Sequence, residues 1–213
     1  MFAPSPVLRL LAQAGLAVVA CVGAIGVTHA QSPAARICPE ISFLSDNLAA
    51  NADFETPTPG VPAGTMTCWN SGDPTPPPSA ADQWLMHSSN AGAKVCSMLL
   101  PSTAPGHAPG SKMLRFMAGG NEGGIYWLSG AAAGHGYMFS AWVKVMRGQV
   151  VLQPNGGNQG PASATSKIGE WEELRACTNS LGVTDLLVIY NQDPAGGVFF
   201  VDRVELREMI MRD

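Results

Sequence analysis

The sequence predicts an all-β domain, a two-sheet antiparallel β-sandwich, and three observations carry that expectation. Short runs of apolar residues at every second position recur along the chain, no long stripe of period 3.6 interrupts them, and the segments between are dense in Pro, Gly and small polar residues. The clearest run is 137–145, where Tyr137, Phe139, Ala141, Val143 and Val145 make one apolar face and Met138, Ser140, Trp142 and Lys144 the other.

In chain order, residues 94–100, 112–117, 124–128, 137–145, 149–153, 170–177, 185–190 and 198–206 read as strands. Residues 56–64, 73–82 and 101–111 read as loops. The second of these, with Pro74, Pro76, Pro77 and Pro78, is excluded from a sheet interior and reads as a stiff surface loop. The closing run contains a misfit. Counting alternately from Val198, the residues Val198, Phe200, Asp202, Val204 and Leu206 share a face, which sets a carboxylate on a core-facing row. Such a group needs a partner, most simply a cation, because an unpaired buried charge is very costly.

The amino terminus reads as an export signal. Arg9 precedes an apolar run over 10–27, and Thr28-His29-Ala30 supplies a small-x-small cleavage pattern, so residues 1–30 are expected to be removed and the mature chain to begin at Gln31. A membrane-spanning reading is weaker, because Gln13 and three glycines interrupt the run. Val18-Val19-Ala20-Cys21 has the look of a lipobox, and membrane anchoring follows only if Cys21 is lipidated. Residues 31–45 form a polar leader, 46–207 the domain and 208–213 a tail. About 180 residues after cleavage suit one domain with a substantial core. A formal charge of -4 provides no basic face, which argues against nucleic acid as a partner.

Cleavage leaves Cys38, Cys68, Cys96 and Cys177, which in an exported chain read as two disulfides. Three pairings are open, with Cys68–Cys96 and Cys38–Cys177 preferred. No two cysteines have Cys-x-x-Cys spacing, and the histidines are not placed to complete a zinc site with them.

The order of segments carries a family resemblance. Asn51-Ala52-Asp53-Phe54-Glu55 opens the domain; Pro109-Gly110-Ser111-Lys112-Met113-Leu114-Arg115-Phe116, the 136–145 strand, Gly169-Glu170-Trp171-Glu172-Glu173-Leu174 and the 198–206 strand follow. Over residues 46–207 this resembles carbohydrate-binding modules of the family 4, 9 and 22 type, with the galactose-binding-like β-jelly roll. The resemblance implies a structural calcium beside the paired terminal strands, held by Glu55 and Asp202 with oxygens of the 51–53 turn, Asp53 among its residues, and of the chain near Ser111 or Lys112. The alternative for Asp202 is a salt bridge or hydrogen bonds to backbone amides. It also implies that Trp142 and Trp171 are packing residues.

Sugar recognition needs flat rings and polar groups that read hydroxyls. Trp84 and Trp127 are the candidate stacking rings, with Gln153, Asn155, Tyr190 and Asn191 as polar or aromatic partners at strand ends. Trp69 and Tyr126 are further aromatics not explained by the fold. Tyr126 and Trp127 lie on opposite faces of one strand, so only one faces the core.

Catalytic signals are thin. The chain has no Gly-x-Ser-x-Gly, His-Glu-x-x-His or phosphate loop, and Gly119 to Gly124 reads as a flexible turn. His87, His107 and His135 sit in loop-like contexts without a visible partner, and Glu172 and Glu173 point to opposite faces of a strand. The expectation is an exported, secreted or periplasmic, non-catalytic protein that binds a glycan or cell-surface polysaccharide with a structural calcium. An adhesion protein using the jelly roll for protein contacts, or a small glycan hydrolase or lyase, are the alternatives.

Overall fold

Alternating apolar runs become strands because each buries one face while its backbone hydrogen-bonds along both edges. The computed structural model describes residues 45–73, 75, 77–120, 122–132, 135–154, 163–178 and 186–209. The predicted signal segment with Cys21, as well as Cys38 and Asn155, lies outside the described residues.

Every regular element among the described residues is a strand: β1 (Thr67–Asn70), β2 (Leu85–His87), β3 (Lys94–Pro101), β4 (Lys112–Ala118), β5 (Gly123–Leu128), β6 (Tyr137–Arg147), β7 (Val150–Pro154), β8 (Ser163–Ala164), β9 (Trp171–Thr178), β10 (Leu186–Asn191) and β11 (Gly197–Glu208). The eight expected strands are all present, with ends shifted by no more than two residues. Three were not expected. β1, β2 and β8 have four, three and two residues, too few for a period of two to show.

The strands form two antiparallel sheets, a six-stranded one in the order β1-β3-β4-β11-β6-β9 and a five-stranded one in the order β2-β5-β10-β7-β8. The core lies between them. Leu99, Leu114, Phe116, Phe199, Val143 and Val145 come from the first sheet and Met86, Ile125, Leu152, Leu187 and Ile189 from the second, all essentially inaccessible to solvent. Phe116 and Phe199 are register partners whose rings pack 5.3 Å apart. The predicted apolar face of β6, from Tyr137 to Val145, is buried as expected. At one end of the core Phe54, Trp84 and Trp127 stack in series, with ring centroids 5.5 and 6.3 Å apart.

The phase of β11 corrects the simple count. Phe199 and Val201 point into the core, whereas Val198 and Phe200 are half-exposed on the outer face. A bulge between Asp202 and Glu205, with Arg203 at φ 47°, then inserts a residue, so that Val204 and Leu206 turn inward again. Asp202 pairs across to Trp142, an outward residue of β6, so it belongs to the outer face of the six-stranded sheet and not to the core row.

Two other expectations change. The described part of the Pro-rich run, through Pro78, lies at the surface, but the segment's end turns inward: Ala80 and Ala81 are buried, the Ala80 amide donates to Ser97 Oγ at 2.8 Å, and Thr58 Oγ1 donates to Ser79 O at 2.7 Å. β11 runs on through Glu208, and the Met209 amide donates to Gly136 O, so the sheet extends past residue 207.

Cys68 and Cys96 face each other in the β1–β3 register and form the preferred disulfide. Cys177 is disulfide-bonded as well. A bridged sandwich indicates folding in an oxidising compartment.

Candidate functional site

Two outer faces of the sandwich gather polar chemistry. On the five-stranded sheet, Ile125 points inward and Trp127 packs against the core, so Tyr126 points out. The register sets Leu85, Tyr126, Val188 and Gln153 side by side in one row across β2, β5, β10 and β7, and His87, Gly124, Tyr190 and Val151 in the next. Leu85, His87, Tyr126 and Tyr190 are half-exposed on this face. Tyr190 Oη donates to Gln153 Oε1 at 3.1 Å, and His87 meets the Tyr126 ring edge-on, with centroids 6.1 Å apart.

Gly124 is what lets this row close up. A Cβ there would stand 2.2 Å from Ile189 O and 2.6 Å from Tyr190 Cα, so the strand interior requires glycine. Burial lowers the pKa of His87, an effect that Glu122 partly offsets, and favours the uncharged ring. Burial also raises the phenols of Tyr126 and Tyr190, with Glu122 adding to the second, so both hydroxyls stay protonated and able to donate. The face thus offers two phenol rings and an imidazole over an apolar floor, with the buried Gln153 amide holding the Tyr190 hydroxyl. That set can stack on sugar rings and read hydroxyls.

Of the residues singled out in the sequence, Gln153 and Tyr190 meet here. Trp84 does not: it is 0 % exposed, donates Nε1 to Ala50 O and packs on Phe54, so it has no face for a ligand. Trp127 is partly buried, with its inward side packed on Trp84. Asn191 is fully buried and holds turns together, donating Nδ2 to Gly120 O and Asp193 O while Oδ1 accepts from the Gln149 amide. Trp69 also joins the core. Tyr126 and His87 take their places. The choice between Tyr126 and Trp127 is set by which strand edge pairs with β10, a long-range fact.

On the six-stranded sheet, the loop between β3 and β4 folds over Asp202, which is 0 % exposed. Ser102 Oγ donates to Asp202 Oδ2, and the Arg203 amide donates to Oδ1 at 2.8 Å. His107 Nε2 stands 3.3 Å from Oδ1. The other ring nitrogen, Nδ1, lies 2.8 Å from Ser111 Oγ, whose hydrogen goes to Ala108 O at 2.8 Å. Ser, His and Asp are therefore aligned without being a nucleophilic triad, since the Ser111 hydroxyl hydrogen is directed away from the ring. Burial raises the Asp202 pKa, while the bonds from Ser102 and Arg203 and the charge of His107 oppose that rise and Asp53 adds to it.

Asp53, His107 and Asp202 each bring one ligand atom within 4.8 Å of the others. Asp53 and His107, with Glu55, Ser111 and Arg203, line an open pocket of ≈ 340 Å³, while Asp202 is buried and does not line it. The sequence pointed to Asp53 and Asp202 but not to His107, whose partner is 95 positions away in the chain. Glu55, the third expected ligand, is turned elsewhere: its Oε1 accepts from the Lys112 amide at 2.8 Å and its Oε2 pairs with Lys112 Nζ at 3.1 Å. Calcium takes six to eight oxygen donors. A set that includes an imidazole nitrogen and a Glu55 carboxylate held by an ammonium group does not fit that ion.

Trp142 and Trp171 lie half-buried on this same outer face, where Trp171 Nε1 contacts Thr103 Oγ1 at 3.4 Å. His135 pairs with Glu208, and Glu172 holds the Ser166 and Lys167 amides.

No family model and no curated protein matches the chain. Solved structures do resemble it. The CBM22-1 xylan-binding domain from Paenibacillus barcinonensis Xyn10C is 14 % identical with a TM-score of 0.46, covering 70 % of this chain and 98 % of its own. The family 11 carbohydrate-binding module from Clostridium thermocellum, in complex with a β-1,3-1,4-mixed-linked tetrasaccharide, is 12 % identical with a TM-score of 0.42, covering 66 % and 94 %. TmCBM61 in complex with β-1,4-galactotriose is 14 % identical with a TM-score of 0.37, covering 79 % and 100 %. All three are carbohydrate-binding modules.

Proposed function

We propose that this chain is an exported, non-catalytic carbohydrate-binding protein that lays a glycan, such as a cell-surface polysaccharide, along the outer face of the five-stranded sheet. One observation carries the reading: Tyr126 and Tyr190, on adjacent strands, are half-exposed above Gly124, Val188 and Val151, with Gln153 fixed beside them and His87 at the edge. Flat rings cover the apolar faces of pyranoses, and phenol and amide groups hydrogen-bond hydroxyls along the chain. The disulfide and the amino-terminal pattern of residues 1–30 support export. The calcium that the resemblance implies, with Glu55 and Asp202 as its carboxylates, is not part of this reading, and the platform does not depend on it.

A glycan array identifies the polysaccharide, and titration calorimetry then compares wild type with Tyr126→Ala and Tyr190→Ala, using Trp171→Ala as the off-platform control. Removing one stacking ring should weaken binding about 10-fold or more while the melting temperature changes little. Binding that survives both tyrosine substitutions and is lost in Trp171→Ala would move the site to the other sheet.

A further inference from the structure

The hydrogen-bond network fixes which lone pairs meet beneath the β3–β4 loop. Ser111 has a single hydroxyl hydrogen, and it is donated to Ala108 O, so the short contact with His107 requires Nδ1 to carry the donor hydrogen. The remaining nitrogen, Nε2, faces Asp202 Oδ1, and a positive centre has to sit between two such atoms. A proton in a charge-assisted N–H···O bond draws its partners to about 2.7–2.9 Å. These atoms stand 3.3 Å apart. Two ligands of a tetrahedral ion with bonds of about 2.0–2.1 Å stand about 3.3 Å apart. Asp53, exposed at the rim within 4.8 Å, supplies a second carboxylate by side-chain rotation.

We infer that Asp53, His107 and Asp202 bind a first-row transition dication of the zinc class in place of the calcium that the resemblance implies. The donor chemistry selects it. An imidazole with two carboxylates suits zinc or cobalt, whereas calcium and magnesium favour all-oxygen shells. The surroundings also match a metal-bound histidine, whose second ring nitrogen is held by an outer partner, here Ser111, itself fixed by Ala108 O. The ion ties three segments together: the 51–55 turn through Asp53, the β3–β4 loop through His107, and β11 through Asp202. The pocket opens to solvent beside Asp53 and Arg203, which gives the ion an entry path and room for water as the remaining ligand.

The test uses the purified chain, stripped with chelator and dialysed. Zinc chloride should raise the melting temperature by about 5–10 °C at a hundred times its Kd, while calcium chloride at the same concentration gives no comparable rise. Cobalt(II) should give visible absorption of a tetrahedral centre, displaced by zinc. His107→Gln and Asp53→Asn should each weaken zinc binding at least 10-fold. Asp53 is exposed, so the second variant folds even if loss of the ring loosens the loop. A His87→Ala/His135→Ala double variant should retain the full zinc response. The proposal is overturned if calcium produces the larger shift, if zinc binding persists in both ligand variants, or if it disappears in the double variant.

Discussion

The two outer faces of the sandwich are built from the same alternation and end up with opposite characters. On the five-stranded sheet, Tyr126 and Tyr190 are left half-exposed above a floor of Gly124, Val151 and Val188. On the six-stranded sheet, the β3–β4 loop folds back over β11, so that an outward-pointing carboxylate, Asp202, becomes fully buried. Pointing away from the core and being exposed are separate properties. A face left open keeps rings available for a ligand, whereas a face capped by a loop turns a surface position into an enclosed polar site that must satisfy its charge.

The comparison breaks most sharply at Trp84. It was the first aromatic the sequence suggested for ligand stacking, yet it is buried between Phe54 and Trp127. Trp84→Ala should therefore cost about 3–5 kcal/mol of stability, as core Trp truncations do, and denaturant unfolding would measure it. A stable Trp84→Ala protein that had lost glycan binding would place the ligand at the core end of the sandwich instead.

Gly124 tests how the open face is held together. Its substitution by Ala forces a methyl group against Ile189 O and Tyr190 Cα, so Gly124→Ala should destabilise by about 1–3 kcal/mol and weaken glycan binding by displacing Tyr190. The same substitution at Gly130, where φ is +60° and an added Cβ meets nothing within 4 Å, shows a backbone cost without a clash, whereas Gly124 lacks positive φ and its cost is the clash itself.

The smallest effect concerns pH. Burial depresses the pKa of His87 in the folded chain below the ordinary imidazole value of 6.5, so the unfolded chain takes up the proton first as pH falls. The associated stability is present above pH 6.5 and is lost as pH falls through the folded-state pKa. Melting curves between about pH 7 and pH 5 should slope less steeply for His87→Asn than for wild type. An identical slope would mean that the ring is as well solvated in the folded chain as in the unfolded one.

Much of the framework was legible in the chain. Eight strands and the inward face of β6 follow from local periodicity, because each strand's neighbours along the chain already determine which side chains share a face, whereas Cys68–Cys96 was one of three open pairings that the β1–β3 register decides. Even the anomaly of Asp202 was visible as a carboxylate in an apolar run. What it meets was not, since Ser102 lies 100 residues away and a bulge at Arg203 breaks the count that placed Asp202 in the core. Tyr126 and Trp127 show the same division: alternation separates them, while only the pairing of β5 with β10 and β2 decides which is turned outward. Periodicity is a property of neighbouring residues and survives any fold. Facing, capping and partnership arise when distant strands and loops pack against one another, and those were decided by the tertiary structure.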